Sequence, residues 1–391
     1  MSTRRPLVVA VLAALLAGLT AAAQPPKKEK EKADPKAAPK APPRADDPAL
    51  AKVETEEKSF TSADGVKAQG RWYKSAKGAA SPVVLLLPEY GADPNATAWD
   101  DIARVLASKG FHAFRFAYRG HGDLKALHAL DIDAGTFWTN PINAALVKGA
   151  EKAANKTMIS TRDFRPGYSP MVVQDIAAAR NMLDQMNDTG EVNTGNVYLV
   201  GAGDAVNYGL LFAASECWRE DKKPNIPVPP TIVSTLRPIF PAAEPAVTDL
   251  AGAVWLSPAT SRFFPEQTLQ SWVYTPWGLK LRSDVPMLFI YGEKDANGKR
   301  AANSFYKNVF KADSRVGPGG QTLPKPLFTT VREVKGSANT GTKLLGNNLG
   351  TEALVRDFVE AVEKERKMKP RKTREWTKPL FIDVQSFGLM R

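Results

Sequence analysis

Short apolar runs without a polar break recur along this chain, separated by stretches whose apolar residues return every three or four positions. The runs are Pro82–Leu87 (PVVLLL), Phe111–Tyr118 (FHAFRFAY), Asn196–Val200 (NVYLV, ending at Gly201), Ala251–Leu256, Met287–Tyr291 and Phe328–Val334. Strands covered on both faces read this way, because neither face has to meet water. Ahead of them, residues 56–73 carry the turn dipeptide Asp64-Gly65 between Phe60 and Trp72-Tyr73, which predicts an antiparallel hairpin.

The periodic stretches predict helices. Trp99, Ile102 and Leu106 share one face, with Thr97 as N-cap and Gly110 as the stop. Val173, Ile176 and Leu183 mark a second helix, which Ser169-Pro170 starts with Pro at the first helical position. Val206–Cys217, the segment around Phe305 and Val309, and Thr351–Val362 supply three more. A hairpin followed by repeated strand–helix units predicts an α/β fold, with a doubly wound, mostly parallel sheet and antiparallel strands at its leading edge.

The two ends differ from this body. Arg4 and Arg5, the apolar run Leu7–Leu19 and Ala21-Ala22-Ala23 before Gln24 have the form of a secretory signal, so residues 1–23 are expected to be cleaved. A bilayer span needs ~20 apolar residues, and this run is short for that. Residues 24–54 are dominated by Lys, Pro, Ala and Glu and are expected to form a disordered linker. The globular domain is expected over residues 55–366 and a basic C-terminal extension over 367–391. The net charge of +12 is concentrated partly in the signal and in Lys364–Lys378, which suits a weak contact with anionic envelope polymers or headgroups. Nucleic acid is not expected as a partner of an exported chain. The single Cys217 excludes an intramolecular disulfide and is expected to be buried on a helix.

Five strings in order resemble the α/β-hydrolase superfamily, in particular its dienelactone-hydrolase-like and carboxylesterase-like members. Leu87-Pro88-Glu89-Tyr90-Gly91 is similar to the strand that enters the oxyanion-hole loop, and Tyr118–Asp123 to the RGHG loop. Leu199–Ala205 resembles the nucleophile elbow, Tyr291–Asp295 the loop that carries the triad acid, and Lys335–Leu345 the histidine loop. The resemblance spans roughly residues 55–366 and implies the fold of that superfamily and, at its site, serine-hydrolase machinery.

That machinery is degenerate. The elbow G-x-S-x-G reads Gly201-Ala202-Gly203-Asp204-Ala205, so the nucleophile slot holds Gly203. Asp204 as a nucleophile breaks the glycine spacing, and an Asp there is ordinary at the start of a helix. Asp295 stands at the acid slot, where it doubles as a turn-capping residue. The three histidines, His112, His121 and His128, all precede the elbow, and the base slot near residue 339 holds Asn339. An amide cannot shuttle a proton near neutral pH. Loss of both groups removes a unit worth on the order of 10⁴–10⁶ in rate. His121 belongs to the RGHG loop and is expected to be structural.

No metal-binding spacing, dinucleotide fingerprint or P-loop is present, and no cofactor is expected. Three long connections remain, residues 123–168, 219–248 and 258–284. The last is aromatic-rich and lid-like in position, and its rings either form a ligand platform or cover the edge of the core. Glu89, Tyr90, Trp272, Tyr274 and Trp277 are therefore the candidate ligand-binding residues, for a small molecule, a glycan or an envelope partner. Three functions are compatible with this reading: a non-catalytic binding protein at the former cleft, an esterase with a relocated apparatus of Asp204, Asp295 and His121, and an envelope attachment protein acting through its basic tail.

Overall fold

A computed structural model describes residues 50, 52–121, 129–149, 156–219, 246–275, 278–314, 329–375 and 379–389. The expected signal, nearly all of the linker, His128, most of the 219–248 connection and Trp277 lie outside the described residues. The strands, in chain order, are β1 (Thr55–Thr61), β2 (Lys67–Tyr73), β3 (Val83–Leu87), β4 (His112–Phe116), β5 (Ala129–Asp131), β6 (Met158–Ser160), β7 (Val197–Ala202), β8 (Leu250–Leu256), β9 (Met287–Gly292) and β10 (Thr330–Val334). The helices are α1 (Thr97–Lys109), α2 (Ala134–Thr139), α3 (Pro141–Leu146), α4 (Val173–Thr189), α5 (Ala205–Trp218), α6 (Glu266–Val273), α7 (Leu279–Ser283), α8 (Ala296–Ser304) and α9 (Thr351–Arg366).

Eight strands form one sheet in the order β1-β2-β4-β3-β7-β8-β9-β10, and β5 and β6 pair separately. β1, β2 and β4 are antiparallel neighbours, and every pairing from β4 to β10 is parallel. This is the α/β-hydrolase arrangement. The apolar runs are explained by the two cores: Val83, Leu85 and Leu87 pack on one face, and Val84 and Leu86 on the other. α4 and α5 cover the first face and α1 and α9 the second.

Several boundaries move. Thr97 is the first residue of α1 rather than its cap; the cap position is Ala96, which has no side-chain donor or acceptor to offer. Gly110 does end that helix, with a left-handed φ of 100°. The helix expected to start at Ser169-Pro170 is preceded by a 3₁₀ segment, Pro166–Val172, with Pro170 inside it, and α4 starts at Val173. A 3₁₀ turn tolerates that proline because it needs fewer backbone donors per turn. β7 continues through Gly201 to Ala202.

Arg119, at the start of the RGHG-like loop, is fully buried and joins three elements. Its guanidinium contacts Asp64 of the hairpin turn at 2.8 Å and Asp175 of α4 at 2.6 Å, and donates to the Tyr168 hydroxyl. His112 is buried in β4, stacked 4.6 Å from Trp72, and its Nδ1 accepts from the Ser75 N–H. Burial pushes its pKa down to about 4, so the ring is neutral at ordinary pH.

The boundary drawn at residue 366 is not a structural one. Beyond α9 the chain packs back on the body. The Lys369 carbonyl accepts from the side-chain amides of Asn193 and Asn196, and Arg374 pairs with Asp249 at 2.7 Å. Leu380, Ile382, Val384 and Phe387 are buried in the α4/α5 core, and Gln174 exchanges two hydrogen bonds with the Ile382 backbone. The basic residues of 364–375 punctuate a segment whose backbone is needed by the fold, so it is not a free tail.

Candidate functional site

The carboxyl ends of β3, β7, β8 and β9, with the loop after β10, converge on one open cleft of about 870 Å³. Sites in open α/β sheets form in this place, because helices and loops diverge beyond the strand ends. From β3 comes Glu89, from β7 Gly203, from β8 Ser257–Thr260, from β9 Asp295, and from the last loop Thr340 and Gly341. One side of the cleft is α8 and the turn after it.

At the elbow, Gly203 has φ 56°, a left-handed conformation in which a side chain is strained. Its N–H donates to the Leu256 carbonyl at 2.9 Å and its carbonyl accepts from the Ala259 N–H at 2.9 Å, which fixes the turn against the end of β8. The space beside it is occupied. A Cβ on Gly203 would fall against Glu89, 2.6 Å from its Cγ, and a Cβ on Gly341 (φ 52°) would run into the same carboxylate. Thr342 donates its hydroxyl to Glu89 Oε2 at 3.4 Å. Glu89 thus fills the junction between Gly203 and the loop that carries Gly341 and Thr342.

Asp204 stands at the helix start, as the sequence suggested. It sits at the N-cap position of α5 without capping it, and its Oδ1 accepts from the Tyr90 N–H at 3.0 Å. The Tyr90 N–H is thus committed to a carboxylate of the chain itself. Burial raises the Asp204 pKa, opposed by the N–H donors of Tyr90 and of its own backbone. Burial likewise raises that of Glu89; the Asp204 charge adds to this, and Thr342 and Lys343 oppose it.

Asp295 is the N-cap of α8, with Oδ1 accepting from the Gly298 N–H at 2.8 Å. Its other oxygen accepts from Ser257 Oγ in a short hydrogen bond. Ser257 is buried and has φ 45°, one of the few non-glycine residues in the left-handed region. The sequence reading missed it. A serine directly after a buried strand, before Pro258, was the available signal. Asn339 is half-buried and its N–H donates to Ser337 Oγ at 3.1 Å; Thr340 and Gly341, not Asn339, reach the cleft.

The remaining candidates lie elsewhere. The His121 Nδ1 is 3.0 Å from the Arg119 carbonyl and the ring meets Tyr90 edge-on at 4.7 Å; it is not among the residues lining the cleft. Tyr90 also packs against Tyr118 and Tyr208. Trp272 is corrected from ligand platform to core: it is buried on α6, donates to the Phe387 carbonyl at 3.1 Å and packs on Phe264 and Phe387. Tyr274 is half-buried between Arg282 and Lys311, each 4.4 Å from its ring centre, and does not line the cleft. The connection expected to be lid-like is thus largely α6 and α7, turned inward. Among the described residues there is no cluster of three or more metal-ligating His, Cys, Asp or Glu side chains, and no helix long and apolar enough to cross a membrane.

No protein-family model matches the chain, and neither does any curated protein. Solved structures do resemble it at low identity. An esterase of Pyrococcus furiosus is 12% identical over 80% of this chain and 92% of its own, with a TM-score of 0.46. A dienelactone hydrolase of Anabaena variabilis is 14% identical over 79% and 98%, with a TM-score of 0.42. A protein of Agrobacterium tumefaciens described as a putative α/β hydrolase is 13% identical over 81% and 100%, with a TM-score of 0.45.

Proposed function

We propose that this chain is an exported, non-catalytic binding protein that uses the former active-site cleft of an α/β-hydrolase fold. The observation that carries the reading is the position of Glu89. Its carboxylate lies against Gly203 and Gly341 together, where an attacking hydroxyl and an imidazole would have to meet. The engagement of the Tyr90 N–H by Asp204 supports it, since a developing oxyanion there would face a carboxylate rather than a free donor.

Ser257 is the residue on which an alternative enzymatic reading rests, being strained, paired with Asp295 and at the cleft. It has a carboxylate partner and, among the described residues, no imidazole to relay its proton, and a carboxylate is too weak a base to deprotonate a serine hydroxyl near neutral pH. The test is a fluorophosphonate probe on the purified protein, followed by peptide mapping, with turnover of a panel of nitrophenyl esters. No labelling and no turnover are expected. Labelling of Ser257, or turnover abolished by Ser257→Ala, sinks the binding reading. Turnover lost on Asp204→Ala and on His121→Ala would instead establish the relocated apparatus.

A further inference from the structure

What the cleft admits is set by its lining. Its volume of about 870 Å³ is far larger than a lone ion requires. Small-molecule sites span ~300–1,000 Å³, so this one has room for more than one ring. The described lining residues include no aromatic side chain and no Leu, Ile, Val or Met. An acyl chain or aryl group finds no large apolar side chain among these residues to pack against, and the affinity of such groups comes from buried apolar contact.

One wall is instead a polar helix face. Asn297, Arg300 and Ser304 recur at helical spacing along α8. The π-turn Phe305–Val309 that follows widens the last turn and brings Lys307 and Asn308 to the same side. Gly298 and Ala301 lie between them, so small residues leave the polar side chains standing clear of the backbone.

The charges on this lining are of both signs. An anionic ligand meets Glu89 and Asp295 at the floor and Glu266 on the wall; a cationic one meets Arg300 and Lys307. A neutral hydroxyl group is served by both sets, because it donates to a carboxylate or amide oxygen and accepts from an amide or guanidinium N–H. We propose that the cleft binds an uncharged, hydroxyl-rich ligand of oligosaccharide size, read by Asn297, Arg300 and Asn308 along one wall and by Glu89 at the floor. The proposal rests on the non-catalytic reading of the same cleft.

Calorimetric titration of the full chain with maltotriose, cellotriose and triacetylchitotriose tests it, with decanoate and spermidine as anionic-apolar and cationic probes. At least one trisaccharide is expected to bind saturably. Asn297→Ala and Arg300→Ala should each weaken it ten-fold or more, while Lys299→Ala, on the same helix but outside the lining, leaves it unchanged. Thermal melts check that each variant is folded. No binding by any trisaccharide, binding indifferent to both variants, or binding of decanoate or spermidine alone would overturn the ligand class. If that happens while the fluorophosphonate probe still labels nothing, the ligand class alone has failed; labelling of Ser257 removes the binding reading whatever the sugars do.

Discussion

Gly203 and Gly341 both hold left-handed φ angles and both abut Glu89. A side chain at either position meets a backbone cost of about 1–2 kcal/mol. Displacing a packed neighbour adds about 1–3 kcal/mol. Gly203→Ser is therefore expected to destabilise the chain, and to do so less in a Glu89→Ala background. A double-mutant cycle in urea measures that coupling; simple additivity would contradict the wedge. Glu89 and Asp204 also make a pH statement. Both carboxyl pKa values are raised by burial, so the folded chain holds these protons more tightly than the unfolded chain. Their stabilising contribution is complete below the unfolded carboxylate pKa and is lost as pH rises through the raised folded values. Glu89→Gln cannot ionise, and its stability relative to the parent should rise as the pH climbs above the ordinary carboxylate range; a flat difference by denaturant titration would refute this. The tight turn at Gly203 was legible because glycine spacing along one strand is a local pattern. The side chain packed against it was not, since Glu89 meets Gly341 and Thr342 only after the strands have assembled.

Among the elements, the segment after α9 departs furthest from its sequence appearance. Its Lys and Arg residues suggested a basic extension outside the domain, while Leu380, Ile382 and Val384 alternate two apart and all point into the core. The alternation is only a few residues long and follows a charged run, so composition concealed it. Ile382→Ala is expected to cost about 2–5 kcal/mol, read as a lowered urea midpoint. A chain stopped after Arg366 loses four large buried side chains at about 1.5–3 kcal/mol each. Set against a total stability of about 5–15 kcal/mol, that loss predicts a protein without a cooperative melt. Trp272 was misplaced for a related reason: an aromatic on a helix between strands reads the same whether it lids a cleft or seals a core. Asp175→Ala, which takes from the buried Arg119 one of its two carboxylates and leaves Asp64, should cost about 1–3 kcal/mol, with the RGHG-like loop losing part of its anchor.

At the scale of the molecule, the fold was the most legible feature. Unbroken apolar runs at β3, β7, β8 and β9 follow from a sheet buried on both faces, and the hairpin dipeptide Asp64-Gly65 fixed its leading edge. The site was legible as a position, because it must lie where the strands end. Its chemistry was not, because Ser257, Glu89 and the Asp295–α8 wall come from three separate connections. The export reading has its own test: the secreted protein is expected to begin at Gln24, and N-terminal sequencing that finds Met1 retained would remove it.

The order in which this chain is made and the order in which it can close are different. Asn193, Asn196 and Gln174 wait for partners supplied by Lys369 and Ile382, and Trp218 and Trp272 wait for Phe387. A chain emerging N-terminus first, from a ribosome or a translocation pore, therefore keeps a seam open along its α4/α5 side until that late stretch is released. Closure on that side therefore cannot precede the arrival of residues 369–387.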